Sequence, residues 1–399
     1  MNSDQHSTGI SRRQFGTVAA GALAGGLASQ RVQAGTFVPN ETLVSTANDL
    51  IDVEYSSARA QYARVDNAGQ LWVGDINRAT GDFIDPTGRQ YLVDINTMNT
   101  SDLIWVYTGA EWMQTADGGE AVVYTKFVPN TRHTAVNARI GFAQPYPNGT
   151  WAAGILAPTD RARYDIFGSE ESGGGRPAIY YLDELKNKVW RNLDDPTERI
   201  VPLTTPSGAN AMRFVRGARA IAYRAKVSGV WQAFRYDLDT FAVEQLTFEA
   251  DEKSLIWMWA APEFNGEFVL MVLAKSREIR FYRKVPDSGG VLKWTMFYSV
   301  SGVRGSSIQS LEPFTYGGKS YFFMDMELPP NDFPSEIWFG NLDTANPIWR
   351  RVNDNATLDV RTDPEYFITD NGPIIYYLKF VPHAPKQGGA IGNFRCSPL

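Results

Sequence analysis

Residues 212–246 read MRFVRGARAIAYRAKVSGVWQAFRYDLDTFAVEQL, and this stretch decides the fold. It divides into four short runs, at 212–215, 220–224, 231–236 and 242–246. β-Branched and aromatic residues fill the runs, and clusters of Gly, Asp and Ser separate them. That is the pattern of four strands joined by tight turns. No segment of the chain sets a convincing helical period against it.

Outward from this stretch the same unit recurs. Tyr124-Thr125-Lys126-Phe127-Val128-Pro129 is echoed by Tyr377-Leu378-Lys379-Phe380-Val381-Pro382. Glu111-Trp112-Met113 precedes the first copy and Glu365-Tyr366-Phe367 the second. Between them lie further openings at Ala261-Pro262-Glu263-Phe264 and Leu311-Glu312-Pro313-Phe314, with weaker ones at Tyr164-Asp165-Ile166-Phe167 and at Met212. Openings return at roughly 50-residue intervals, a period that belongs to propeller blades. The hairpin from third to fourth strand reads again from 336–339 to 348–350 and from 71–74 to 82–84. Second strands such as 268–273 are apolar on both faces, as suits a strand held between neighbouring sheets.

Counting the openings from Glu111 to Glu365, and adding a unit around residues 60–64, predicts seven four-stranded antiparallel blades, with six as the alternative. The last unit lacks a fourth strand, and residues 36–44 are expected to supply it and close the ring. The pattern resembles the broad family of TolB-like and WD40-like β-propellers, an all-β fold in one domain over residues 35–399. A propeller scaffold does not by itself imply a function.

Ahead of this domain, Ser11-Arg12-Arg13-Gln14-Phe15 leads into a soft apolar run from Gly16 to Ala28, followed by Val32-Gln33-Ala34. The run is too short and too rich in Gly and Ala to span a bilayer. Residues 1–34 resemble a twin-arginine export signal, which implies passage through the twin-arginine translocase and a periplasmic or secreted destination. The chain carries −6; the signal carries +2, so the remainder carries about −8. A basic excess that would mark a nucleic-acid partner is missing. A single cysteine, Cys396, excludes an intrachain disulfide. No motif for calcium, another metal or an organic cofactor is present, and two histidines beyond the signal cannot build a multi-histidine centre.

Propeller enzymes work where second-to-third-strand loops and inter-blade links share the mouth of the central channel. Lys126, Lys226, Lys275 and Lys379 end second strands there, with Arg132, Arg139 and Arg277 just beyond. Such a cationic mouth would focus an anionic ligand. His133 and His383 follow the repeated Lys-Phe-Val-Pro-type segment, and His133, beside Arg132 and Arg139, is the candidate proton carrier. Asp325 and Glu327 replace the lysine in one unit, while Asp165 and Glu170-Glu171 flank Gly173-Gly174-Gly175. Glu111, Glu263, Glu312 and Glu365 open first strands, and a residue so repeated is expected to bond backbone amides structurally. With 51 aromatic residues to house between blades, Trp112, Tyr298 and Tyr316 are only weak candidates for stacking on sugars.

Three functions fit. One is β-elimination on an acidic, uronate-containing polysaccharide or oligosaccharide, with Arg132, Arg139 and the lysines neutralising the carboxylate and His133 as base. In architecture and residue types the chain resembles the seven-bladed polysaccharide lyases, including those that cut rhamnose–glucuronate linkages. The second is glycoside hydrolysis by paired carboxylates among Asp165, Glu312 and Asp325, similar to the five-bladed arabinanase and furanosidase group. The third is a non-catalytic periplasmic propeller that binds a protein or a glycan.

Overall fold

Seven sheets, each of four antiparallel strands, follow one another along the chain. The computed structural model describes residues 37–47, 49, 51–99, 109–170, 175–202, 211–329, 334–354, 359–380 and 391–399. The export signal and His383 lie outside the described residues. The first strands of the blades are, in order, Ile51–Ser56, Glu111–Gln114, Arg163–Gly168, Arg213–Phe214, Lys253–Ala260, Ser307–Tyr316 and Val360–Thr369. Blade 4 matches the four runs that opened the sequence reading: Arg213–Phe214, Ala220–Val227, Val230–Asp237 and Val243–Gln245. The described residues include two short 3-10 turns, Ala135–Asn137 and Pro262–Phe264, set among the strands. No helix among them is long and apolar enough to cross a membrane.

The ring closes through packing between neighbouring sheets. Each junction has its own buried cluster: Val73 with Trp112 between blades 1 and 2, Phe281 with Phe322 between 5 and 6, and Tyr62 with Tyr376 between 7 and 1. Each fully buried side chain of this size contributes roughly 1.5–3 kcal/mol relative to exposure. In blades 1, 2 and 6 a second-strand aromatic lies over a third-strand glycine directly opposite: Tyr62 on Gly74, Tyr124 on Gly141 and Phe322 on Gly340. A Cβ at these glycines would stand 2.1, 2.3 and 2.3 Å from the aromatic ring or its hydroxyl, so the close approach requires glycine.

Blade 7 takes its fourth strand from the other end of the chain, as the repeat count requires. Thr42–Ser45 pairs antiparallel with Gly392–Cys396. The junction is fastened by Glu41, whose side chain is 4 % exposed. It accepts bonds from Lys379, from the Arg361 Nε at 3.0 Å and from the Tyr377 hydroxyl at 2.8 Å. Burial pushes the Glu41 carboxyl up, but these three partners bring it below its ordinary value.

Two sequence expectations are corrected. Residues 261–264 do not open a blade: the first strand of blade 5 ends before them at Ala260, and Pro262, lacking an N–H, starts a 3-10 turn into the second strand. Residues 82–84 are not the fourth strand of blade 1, which is Tyr91–Ile95. Phe83 instead stacks on Tyr62, with ring centres 4.2 Å apart, and its core packing produced the strand-like signal.

Candidate functional site

First strands line the channel, and five of the seven carry the same irregularity. The pairing slips at Asp52, Asp165, Leu255, Ser310 and Asp363, and each of these residues takes a positive φ between 34° and 58°. Such conformations are uncommon for residues other than glycine, and a bulge of this kind re-aims the side chains that follow. Two positions later stand Glu54, Phe167, Trp257, Glu312 and Glu365. Glu111 and Arg213 open the first strands of blades 2 and 4 and complete a set of seven, one per blade.

This set forms a ring of interacting groups. The nearest charges felt by Glu54 include Glu365, Glu111 and Glu312, and those felt by Glu111 include Arg213 and Glu312. Among the described residues none of the carboxyl groups of Glu54, Glu111, Glu312 and Glu365 makes a hydrogen bond or an ion pair. Burial, then mutual repulsion, raises Glu54, Glu111 and Glu365 well above the ordinary carboxyl value. Glu312 is raised by burial too, but Arg213 and Arg216 pull against it and leave it at about 7. Arg213 lies between rings from the blades on either side, its Cζ 5.2 Å from the centre of Phe167 and 5.1 Å from that of Trp257.

One step further along the strands, Arg216 bars the channel. It pairs with Glu170 of blade 3 at 2.8 Å and donates to the Pro313 carbonyl of blade 6. Its Cζ lies 4.9 Å from Trp257 of blade 5 and 5.4 Å from Tyr366 of blade 7. Four blades besides its own thus hold this one side chain, and the ring lies on the mouth side of it.

The residues singled out at the mouth are placed differently. Lys126 pairs with Asp94 at 2.5 Å, Lys275 with Asp251 at 3.4 Å, and Lys379 with Asp359 at 2.9 Å as well as with Glu41. The acids Asp94, Asp251 and Asp359 come from the outer strand or the link that precedes each blade, so these lysines tie neighbouring blades together. Lys226 is exposed and lies 5.0 Å over Trp231 of its own hairpin. Arg277 is exposed in the turn after Phe268–Ala274. Arg139 donates to the carbonyls of Thr159, Val136 and Ala138, clamping its loop, and Arg132 is exposed. His133 stacks on Phe127, with ring centres 4.1 Å apart. Trp112 is wedged between blades 1 and 2, donating to the Glu54 carbonyl at 3.1 Å. Tyr298 stacks on Phe281, and Tyr316 packs against the cluster between blades 6 and 7. Asp165 pairs with Lys188 at 2.8 Å, Asp325 is buried near the end of its second strand, and Glu327 accepts from Ser307 at 2.8 Å.

Of the residues named from sequence for binding, Glu312 is the one that joins the ring. The expectation of a structural bond to backbone amides holds for Glu263, which accepts from the Ser320 N–H at 3.0 Å, and fails for Glu111, Glu312 and Glu365. Glu54 and Arg213 were missed. The signal that finds Glu54 is a three-residue repeat, in which a left-handed residue and a buried apolar one precede the ring position, as in Asp52-Val53-Glu54, Ser310-Leu311-Glu312 and Asp363-Pro364-Glu365; Arg213 lacks it. The carboxyls are spread round the ring, and no group of three or more His, Cys, Asp or Glu that could hold a metal ion occurs among the described residues.

The far face holds a cavity of about 310 Å³ at the junction of blades 7 and 1, among Thr80, Asn371 and Arg395. Its charged side chain, Arg395, is already held by Asp82 at 3.0 Å, and no ring residue lines it.

No family model matches the chain, and no curated protein matches it. Solved structures do. The β-propeller domain of Cps50 (Swd1) from Myceliophteria thermophila is 9 % identical, with a TM-score of 0.53, over 89 % of this chain and 97 % of that one. The tricorn protease is 10 % identical, with a TM-score of 0.51, over 90 % of this chain and 35 % of that one. At such identities the likeness is one of fold alone, and it agrees with the strand order: the chain is a seven-bladed β-propeller.

Proposed function

We propose that the chain is an exported glycoside hydrolase whose chemistry takes place on the channel ring. The observation that carries this reading is the division among the four unpaired carboxyls. Arg213 and Arg216 draw Glu312 down to about 7, whereas Glu312, Asp363, Glu111 and Asp52 add to the burial that raises Glu365. Hydrolysis of a glycosidic bond uses a pair divided in this way, one carboxyl that keeps its proton and one that ionises near neutrality. Glu365 donates its proton to the leaving oxygen. Glu312, on the adjacent blade, acts as the base or nucleophile at the sugar carbon. The twin-arginine reading of residues 1–34 puts this activity outside the cytoplasm. Elimination at the mouth is less well supported, because Lys126, Lys275 and Lys379 already serve acids of neighbouring segments.

The test is a glycan panel together with aryl glycosides of good leaving ability. The expected result is released reducing sugar with no new ultraviolet absorbance. Glu312→Gln should lower the rate on both kinds of substrate by at least about 10²-fold. Glu365→Gln should do so for glycans and spare the aryl glycosides, which leave without an acid. Unsaturated products would establish elimination instead. No cleavage of any substrate, with a stoichiometric protein partner captured, would establish the binding-protein reading.

A further inference from the structure

We infer that Arg213 is a carboxylate-recognising residue of the channel, and that the glycan bound on the ring carries a uronic acid whose carboxylate lies against this guanidinium. The inference rests on the ring being a sugar site and adds the class of sugar.

Four observations lead to it. First, Arg213 is the cation among the seven ring positions, and among the described residues it forms no ion pair. Arg216, further along the same strand, is by contrast paired with Glu170 and bonded to the Pro313 carbonyl. Second, its position is fixed before any ligand arrives. Phe167 and Trp257 lie over the guanidinium, and its Nη1 donates to the Met212 carbonyl at 3.0 Å, the same oxygen that accepts from the Tyr180 hydroxyl at 2.7 Å. Rings over the guanidinium leave its N–H edges to do the bonding, and those edges match a carboxylate two by two. Third, burial opposes the Arg213 charge, but Tyr180, Glu312 and Glu111 together outweigh it, so this half-buried guanidinium stays a cation, and charge-assisted bonds to an anion are the strong ones. Glu111 and Glu312, two blades away on either side, are the carboxyls whose charge it feels most, and among the described residues neither forms an ion pair with it. Fourth, Glu54, Glu111 and Glu365 hold their protons well beyond the range of ordinary glutamates, so near neutrality these three offer hydrogen bonds to an incoming anion more than they repel it.

The experiment is calorimetric titration of the full chain with oligosaccharides of glucuronate and of galacturonate, and with the same oligosaccharides reduced at the carboxyl to neutral sugars. A charge-assisted bond of this kind predicts at least about tenfold tighter binding of an acid form than of its reduced form. Arg213→Gln should erase that preference, and Arg213→Lys should restore part of it. Tyr180→Phe, which frees the Met212 carbonyl, should weaken the preference without removing it. Equal affinity for acid and reduced forms overturns the inference, as does binding of neither, or an unchanged preference in Arg213→Gln. Should Arg213→Gln fail to fold, the comparison on the unaltered chain and on Tyr180→Phe still decides. Acid-selective binding without cleavage would sink the hydrolase and leave Arg213 in place. Equal cleavage of acidic and neutral glycans would do the reverse.

Discussion

Glu41 at the ring closure, a buried carboxyl, and the half-buried glutamates of the channel are in opposite circumstances. Glu41 is met by Lys379, Arg361 and Tyr377, and its carboxyl lies below the ordinary range. Glu54, Glu111, Glu312 and Glu365 have no such partners and repel one another, and their carboxyls lie above it. Burial acts in the same direction on all five, so partners make the difference. A buried carboxylate that is fully bonded fastens one blade. Carboxyls left unbonded, three of them (Glu54, Glu312 and Glu365) following bulges with positive φ, are a cost to the fold that points to a site rather than to stability.

The comparison can be broken most sharply by removing the two kinds of carboxyl in turn. Glu41→Gln takes one of two acidic partners from each of Arg361 and Lys379, which keep Asp354 and Asp359, and should cost about 1.5–3 kcal/mol, read as a lower denaturant midpoint or Tm. Glu312→Gln replaces a carboxyl that the fold disfavours ionising, and should leave the midpoint unchanged or raise it. Equal losses in both variants would show that the ring carboxyls are structural after all.

Acidity separates the two regions next, because their shifts have opposite signs. Glu312 holds its proton more tightly folded than unfolded, so its contribution is complete below 4.5 and is lost as the pH rises to about 7. Glu41 is held ionised by the fold, so its contribution is present above 4.5 and lost as the pH falls below that value. Denaturant midpoints across this range should therefore fall on both sides of a maximum near the ordinary carboxyl value. Glu312→Gln should lessen the alkaline slope, to which Glu54, Glu111 and Glu365 still contribute, and spare the acid side; a variant with both slopes intact would refute the assignment.

The smallest effect is expected at the mouth. Lys275 is 58 % exposed in its pair with Asp251. Lys275→Ala should cost no more than about 1 kcal/mol and leave glycan binding unaltered. Loss of binding in that variant, measured by the same titration, would move the site from the ring to the mouth.

Much of this was legible in the sequence. Strand runs, turn clusters and their spacing are local properties, and counting them favours seven blades over six and gives the need for a strand from the other end of the chain. Where a local signal misled, as at Pro262 and Phe83, a turn proline or a core aromatic imitated a strand. The site was legible in part. The repeated glutamates at 111, 312 and 365 stood out, but nothing in their neighbours tells a glutamate that finds a backbone amide, as Glu263 does, from one that does not. Lys126, Lys275 and Lys379 looked like an exposed cationic ring because their acids belong to segments that the repeat does not line up with them.

The sequence by itself carried the architecture: an all-β propeller of seven or six blades, the alternation of strands and turns, and closure by residues near the N-terminus; the folded sheets make the count seven. Only the tertiary structure decided which charges are spent on the fold and which are left over. Lys379 meets Glu41 across 338 residues of chain, and the ring assembles one residue from each blade. Such pairings exist only once the propeller has closed, because closure, not chain proximity, sets the distances on which electrostatics depends.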